Sequence, residues 1–185
     1  MGGYGCGFSA PQNSSYMQEL IVRWYQFGCF SPVFRTHGCR YGHDGGGLEP
    51  NDPCVHHTYS CGANEVWSYG PETQVILEKY IRLRATMKPY IAELAVNVTK
   101  SGVPTMRPLW YEFPEDDGAY GINDQYMLGP KYLVAPVTIQ NATSRKVYFP
   151  KGASWKHVFT GDVVVGGKEQ QVAAPIEQFP VYTRM

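Results

Sequence analysis

The spacing of apolar positions along the chain changes three times, and each change marks an element. The opening MGGYGCGFSAPQNSS has no periodic apolar residue and reads as glycine- and serine-rich loop. Tyr16, Met17, Leu20, Ile21, Trp24 and Phe27 then fall on one face at helical spacing. Ser15 with Gln18 three residues on forms a capping box for this helix, and Gly28 supplies its stop. FSPVFRTHG follows, with a short strand expected over residues 32–35. Residues 39–70 show little periodicity and many turn residues; a loop of that length is functional or disordered as a rule.

A long helix is expected from about 71 to 98, with Ile76, Tyr80, Leu83, Met87, Tyr90, Leu94 and Val98 as its stripe. Glu78 and Arg82 are placed to pair four residues apart, and Pro89 inside the helix predicts a kink. After KSGVP the period becomes roughly alternating. PTMRPLWYEF, QYMLGPKYLVAPV, KVYFP, WKHVF and VVVGG read as short strands between Gly-, Pro- and Asn-rich turns. The boundary falls near residues 101–104, dividing the chain into regions 1–101 and 102–185.

The expected class is therefore α/β followed by all-β: helix, strand, loop and long helix, then an antiparallel β-sandwich. The first region is incomplete as a fold. One strand and two amphipathic helices cannot close a parallel sheet or cover it on both faces. The pattern implies a piece of a larger protein.

Composition narrows the function classes. Sixteen basic residues balance sixteen acidic ones, without the clustered basic excess of a nucleic-acid footprint. No window approaches the ~18 unbroken apolar residues of a membrane span, and no signal peptide is visible at the N-terminus. Fourteen Tyr and four Trp suit either a sugar-handling protein or a β-sheet core. Asn13, Asn97 and Asn141 begin glycosylation sequons, which favour a secreted or secretory-lumen placement. Of five cysteines, Cys54 and Cys61 are the best placed to form a bridge, and an odd one remains.

Candidate chemistry is sparse. Arg35 and His37 end an apolar run, where two readings stand open: groups facing a ligand at a strand's carboxyl end, or a histidine capping a backbone carbonyl. His43, Asp44, Cys54, His56, His57 and Cys61 are zinc-type ligands, but Cys54-x6-Cys61 is wider than a zinc turn. No metal and no cofactor is expected. Gly3, Gly5 and Gly7 lack the spacing of a dinucleotide loop, and no nucleophile elbow occurs. Glu115, Asp116 and Asp117 read as a solvated turn, and Glu112 as a strand carboxylate away from any site. None makes the close carboxylate pair of a retaining glycosidase.

An ordered series of motifs nevertheless resembles the family 31 glycoside hydrolases, the α-glucosidase and α-xylosidase group. GGY at 2–4, ELIVRWYQFGCFSPVFRTHG at 19–38, EVWSYG at 65–70, YIRLRATMKPYI at 80–91, GVPTMRPLWYEFP at 102–114 and QYMLGPKYLVAPV at 125–137 carry it, with VYFPKGASWKHVFTG and FPVYTR completing it. The resemblance implies the terminal portion of a (β/α)8 barrel followed by the proximal part of a β-sandwich. It places His37 against the sugar of the innermost subsite, Arg35 in support and Tyr4 as a pocket-lining aromatic. The nucleophile and acid/base aspartates are expected upstream of Met1, on the missing N-terminal part of the barrel. The implied function is a fragment of a retaining α-glycosidase acting on α-glucosides or α-xylosides, inactive alone. The alternative is a non-catalytic sugar-binding or regulatory remnant. RTHG with EVWSYG is closer to the α-xylosidase-like branch.

Overall fold

The computed structural model describes residues 14–36 and 65–185. The chain divides into two compact units, one comprising Met1–Cys29 and Val33–Leu83, the other Phe30–Pro32 and Arg84–Met185.

The described part of the first unit is helical. Helix α1 spans Ser15–Cys29 and buries Met17, Ile21, Val22, Tyr25 and Cys29. That stripe is rotated from the expected one, since Tyr16 and Phe27 are 39% and 40% exposed. The cap is Ser14, one residue before the expected Ser15; its hydroxyl accepts from the Met17 amide at 3.3 Å. Gln18 does not close a capping box. Its amide donates instead to the Tyr69 carbonyl at 2.8 Å, fastening α1 to the 3-10 turn Val66–Tyr69. Helix α2, Pro71–Thr86, buries Thr73, Leu77 and Tyr80, and the Cys29 thiol donates to the Tyr80 carbonyl at 3.5 Å. The Glu78–Arg82 pair forms as expected, at 3.4 Å.

The single long helix is two. Helix α2 stops at Thr86 and α3 runs Lys88–Ser101 with Pro89 in its first turn. Proline lacks an amide proton and clashes with the carbonyl four residues earlier, so it starts a new helix more readily than it kinks an old one. Gly102 ends α3 in the left-handed conformation, its amide bonding the Val98 carbonyl.

The second unit is an antiparallel sandwich. Strands β1 (Met106–Arg107), β2 (Tyr126–Leu128), β3 (Tyr132–Val134), β5 (Ser154–His157), β6 (Val163–Val165) and β8 (Val181–Arg184) form one sheet. Its order is β1-β2-β3-β8-β5-β6, every pairing antiparallel. β4 (Ser144–Phe149) and β7 (Lys168–Ala173) pair as a two-stranded second sheet. The core between them takes Met127, Leu133, Trp155 and Tyr182 from the large sheet and Val147 and Phe149 from the small one. Leu109 and Phe113 join it from the turn of helix α4, Leu109–Glu112. Trp155 is fully buried, edge-on to Phe113 at 5.7 Å, with its indole N–H donating to the Pro150 carbonyl at 3.3 Å.

WYEF was expected as strand and is this helical turn instead. Its alternation ends at Pro108, which stands in extended conformation directly before α4. A second short turn, α5 at Asp117–Tyr120, follows. Helix α3 meets the β2–β3 hairpin through Tyr90, whose hydroxyl donates to the Leu128 carbonyl at 2.8 Å. The next residue, Gly129, has φ +57°, and a Cβ there would overlap the Tyr90 hydroxyl and Leu94. Only glycine meets both demands.

Candidate functional site

The approach to the Arg35–His37 motif is built from the second unit. Phe30 is buried between the rings of Tyr132 and Phe179, each 5.6 Å away, and the Tyr126 hydroxyl donates to its carbonyl at 3.0 Å. The Arg84 guanidinium donates to the carbonyls of both Ser31 and Pro32, the latter at 2.8 Å. A planar fork bonding two successive carbonyls fixes the backbone better than a point charge does. Thus the three residues that lead into the motif are held at every carbonyl.

Residues 33–36 belong to no strand among the described residues, so the strand expected at 32–35 is not present there. A strand exists only by pairing, and this segment's apolar run carries no information about a partner. Phe34 packs edge-on against Tyr25 at 5.4 Å, while Arg35 is exposed. His37 and Tyr4 lie outside the described residues, as do Cys6, Cys39, Cys54, Cys61 and the histidines of the long loop. Arg84 and Tyr126 were not singled out from the sequence. Nothing in a helical arginine or a strand tyrosine announces that it will hold a carbonyl fifty-three or ninety-six residues away in the chain.

The described carboxylates that a glycosidase reading brings forward are committed to structure. Glu112 pairs with buried Arg107, and its other oxygen lies 4.0 Å from Arg184. Asp116 was expected in a solvated turn and is 2% exposed. It accepts from the Lys151 amide at 2.7 Å, the Tyr148 hydroxyl, and the Gly118 amide at 3.2 Å. Burial alone would raise its pKa; these donors outweigh it and hold the carboxyl below the usual aspartate range. Asp124 pairs with Arg145 at 2.7 Å. Among the described residues no cluster of three or more His, Cys, Asp or Glu could hold a metal ion. No helix among them is long and apolar enough to cross a membrane.

Comparison with known proteins converges on one group. The glycosyl hydrolases family 31 TIM-barrel domain matches residues 2–51, and the glycosyl hydrolase family 31 C-terminal domain matches residues 102–185. Alpha-glucosidase 2 of Bacillus thermoamyloliquefaciens is 32% identical over 184 residues, 97% of this chain and 21% of that protein. The alpha-xylosidase of Saccharolobus solfataricus is 32% identical over 174 residues, 94% of this chain and 21% of that protein. A family 31 alpha-xylosidase from a soil metagenome, solved in complex with xylose, superposes with TM-score 0.84 at 37% identity over 96% of this chain and 26% of that one. A Flavobacterium johnsoniae family 31 dextranase superposes with TM-score 0.79 at 32% identity over 98% of this chain and 20% of that one. The chain spans about a fifth of the length of the curated relatives it matches. With the end of the barrel domain and the C-terminal domain matched in family order, the chain belongs to glycosyl hydrolase family 31, joining the last part of its catalytic barrel to the sandwich that follows.

Proposed function

We propose that this chain supplies the sugar-contacting end of a retaining α-glycosidase acting on α-glucosides or α-xylosides. The observation that carries the reading is the ordered match of both family domains on one short chain, with His37 and Arg35 falling inside the barrel match. In this reading His37 donates a hydrogen bond to a hydroxyl of the bound sugar, Arg35 supports the site, and Tyr4 lines it. Regions 1–101 and 102–185 act as barrel end and sandwich.

The bond-breaking carboxylates belong elsewhere in the complete enzyme. A retaining pair must stand ~5–5.5 Å apart with one member free to attack. Glu112 is paired with Arg107 and Asp116 accepts from three donors, so both are engaged by the scaffold. In this reading the family's nucleophile and acid/base aspartates carry the hydrolysis. Exposed Asn97 and Asn141 in their sequons support passage through a secretory lumen.

The test is an assay of the complete reading frame and of the 185-residue chain with aryl α-glucoside and aryl α-xyloside. The complete enzyme turns over one or both; the short chain does not. Replacing His37 by Ala in the complete enzyme lowers kcat/KM by about 10- to 100-fold, the loss of one strong hydrogen bond. Robust turnover by the short chain that survives His37→Ala would overturn the assignment.

A further inference from the structure

Two of the three glycosylation sequons lie on described residues, and the fold treats them differently. Asn97-Val98-Thr99 is inside α3. The Thr99 hydroxyl donates to the Val96 carbonyl at 2.8 Å, and the Ser101 hydroxyl donates to the Asn97 carbonyl at 2.7 Å. Residues two apart on a helix do not face the same side, so this asparagine and this hydroxyl meet one partner together only before α3 forms.

Asn141-Ala142-Thr143 stands instead on the connection from β3 to β4, outside helix and strand. Residues 138–141 and Thr143 are exposed. The Ala142 amide donates to the Ile139 carbonyl at 3.3 Å, closing a turn in which Asn141 has φ +60°. Asparagine takes that left-handed conformation more readily than most residues with a side chain. The turn therefore accounts for an asparagine at 141, but it makes no demand for a hydroxyl two residues on.

The base of this connection is fastened on both sides. The Arg145 guanidinium donates to the Pro136 carbonyl and to Asp124, and Val137 is buried. On the other side the Ala174 amide donates to the Thr143 carbonyl at 2.7 Å, a bond that uses the threonine's backbone and not its hydroxyl. A bulky group attached at the tip stands in solvent and loads neither the core nor the strands.

We propose that Asn141 is the acceptor of an N-linked oligosaccharide, being the sequon that the folded second unit presents whole. The co-reactant is an oligosaccharide carried on a lipid diphosphate. A bond forms between Asn141 Nδ2 and the anomeric carbon, the anomeric C–O bond breaks, and the lipid diphosphate leaves with the electron pair. One Nδ2 proton passes to a base of the transferase. The other proton and the side-chain carbonyl remain, so the turn keeps a donor and an acceptor at this position. The inference rests on the secretory placement in the functional reading and carries it to a single residue.

The test is made on the complete enzyme, secreted from a eukaryotic cell behind a secretory leader, digested with trypsin and treated with peptide N-glycosidase in heavy-oxygen water. The peptide of residues 132–145, which holds no other sequon, is expected to return a heavy-oxygen aspartate at position 141 as its main form. Thr143→Ala removes that signal and Thr143→Ser keeps it. Asn141→Gly, which suits φ +60°, gives a folded, secreted enzyme without it. His37→Ala leaves the signal in place, so failure here and failure of the hydrolytic reading are told apart. An unmodified Asn141 in the secreted enzyme, or a signal that survives Thr143→Ala, would overturn the proposal.

Discussion

The Tyr148 hydroxyl stands 2.7 and 2.9 Å from the two oxygens of the Asp116 carboxylate and donates its proton to them. The same carboxylate receives the Lys151 amide, so one side chain joins the α4–α5 turn to strand β4 and to the connection that follows it. Replacing Tyr148 by Phe removes one hydrogen bond to a charged group and is expected to cost about 1.5–3 kcal/mol of folding stability. Asp116→Ala is expected to cost more, because it leaves the Tyr148 hydroxyl and the Lys151 amide without their acceptor and uncaps α5. Urea unfolding of the two variants checks the order; a smaller loss from Asp116→Ala than from Tyr148→Phe would show that the carboxylate is not the centre of the joint.

The same pair shapes the pH dependence of stability. The folded pKa of Asp116 lies below its unfolded value of about 3.9. In that interval the unfolded chain binds the extra proton, so this contribution is present above about pH 4 and is lost as pH falls through the folded value. Tyr148, Tyr90 and Tyr182 shift the other way, each pushed up to about 12, chiefly by burial. Their contribution is whole below the unfolded value of about 10 and disappears as pH climbs from there through about 12. Unfolding free energies measured across pH should show a plateau with both limbs. Asp116→Asn should flatten the acid limb and Tyr148→Phe should shorten the alkaline one; unchanged slopes in both variants would refute the linkage.

Asp116 also shows where sequence reading reaches its limit. Between Glu115 and Asp117, after Pro114 and before Gly118, it looks like a solvated turn, and its two neighbours are exposed as that pattern says. Its burial comes from Tyr148 and Lys151, more than thirty residues away. The regions of α1, α2 and α3 and the β2–β3 hairpin were legible because their signals are local: 3.6-residue spacing, Pro89, and the Gly129-Pro130 turn. β7, KEQQVA, carried no signal, since it lies in a two-stranded sheet with five of its six residues exposed and has nothing to alternate against. Of the motif at residues 30–38, order and spacing were readable, but the hold of Arg84 and Tyr126 on its entry was not, because a carbonyl acceptor has no sequence signature.

Glu112 offers the sharpest separation of structural from catalytic carboxylates. It lies in α4, pairs with Arg107, and stands near Arg184, whose guanidinium covers the Phe113 ring at 4.8 Å. Arg107 is buried and Glu112 half-buried, their side chains 9% and 12% exposed, and Arg107 also donates to the Pro104 carbonyl at 2.7 Å. Removing one partner strands a buried charge, so Glu112→Ala is expected to cost about 3–5 kcal/mol. Removing both tells the two terms apart. Arg107→Met with Glu112→Leu, apolar and of similar length, should be closer to neutral than either single change, a coupling that a double-mutant cycle measures directly. A catalytic glutamate behaves differently: its replacement by Gln would abolish turnover of the complete enzyme while leaving the fold standing. For Glu112 the expectation is reversed, with stability reduced in Glu112→Gln and kcat of the surviving folded enzyme close to that of the parent. Loss of kcat without loss of stability would move Glu112 out of the scaffold and into the chemistry.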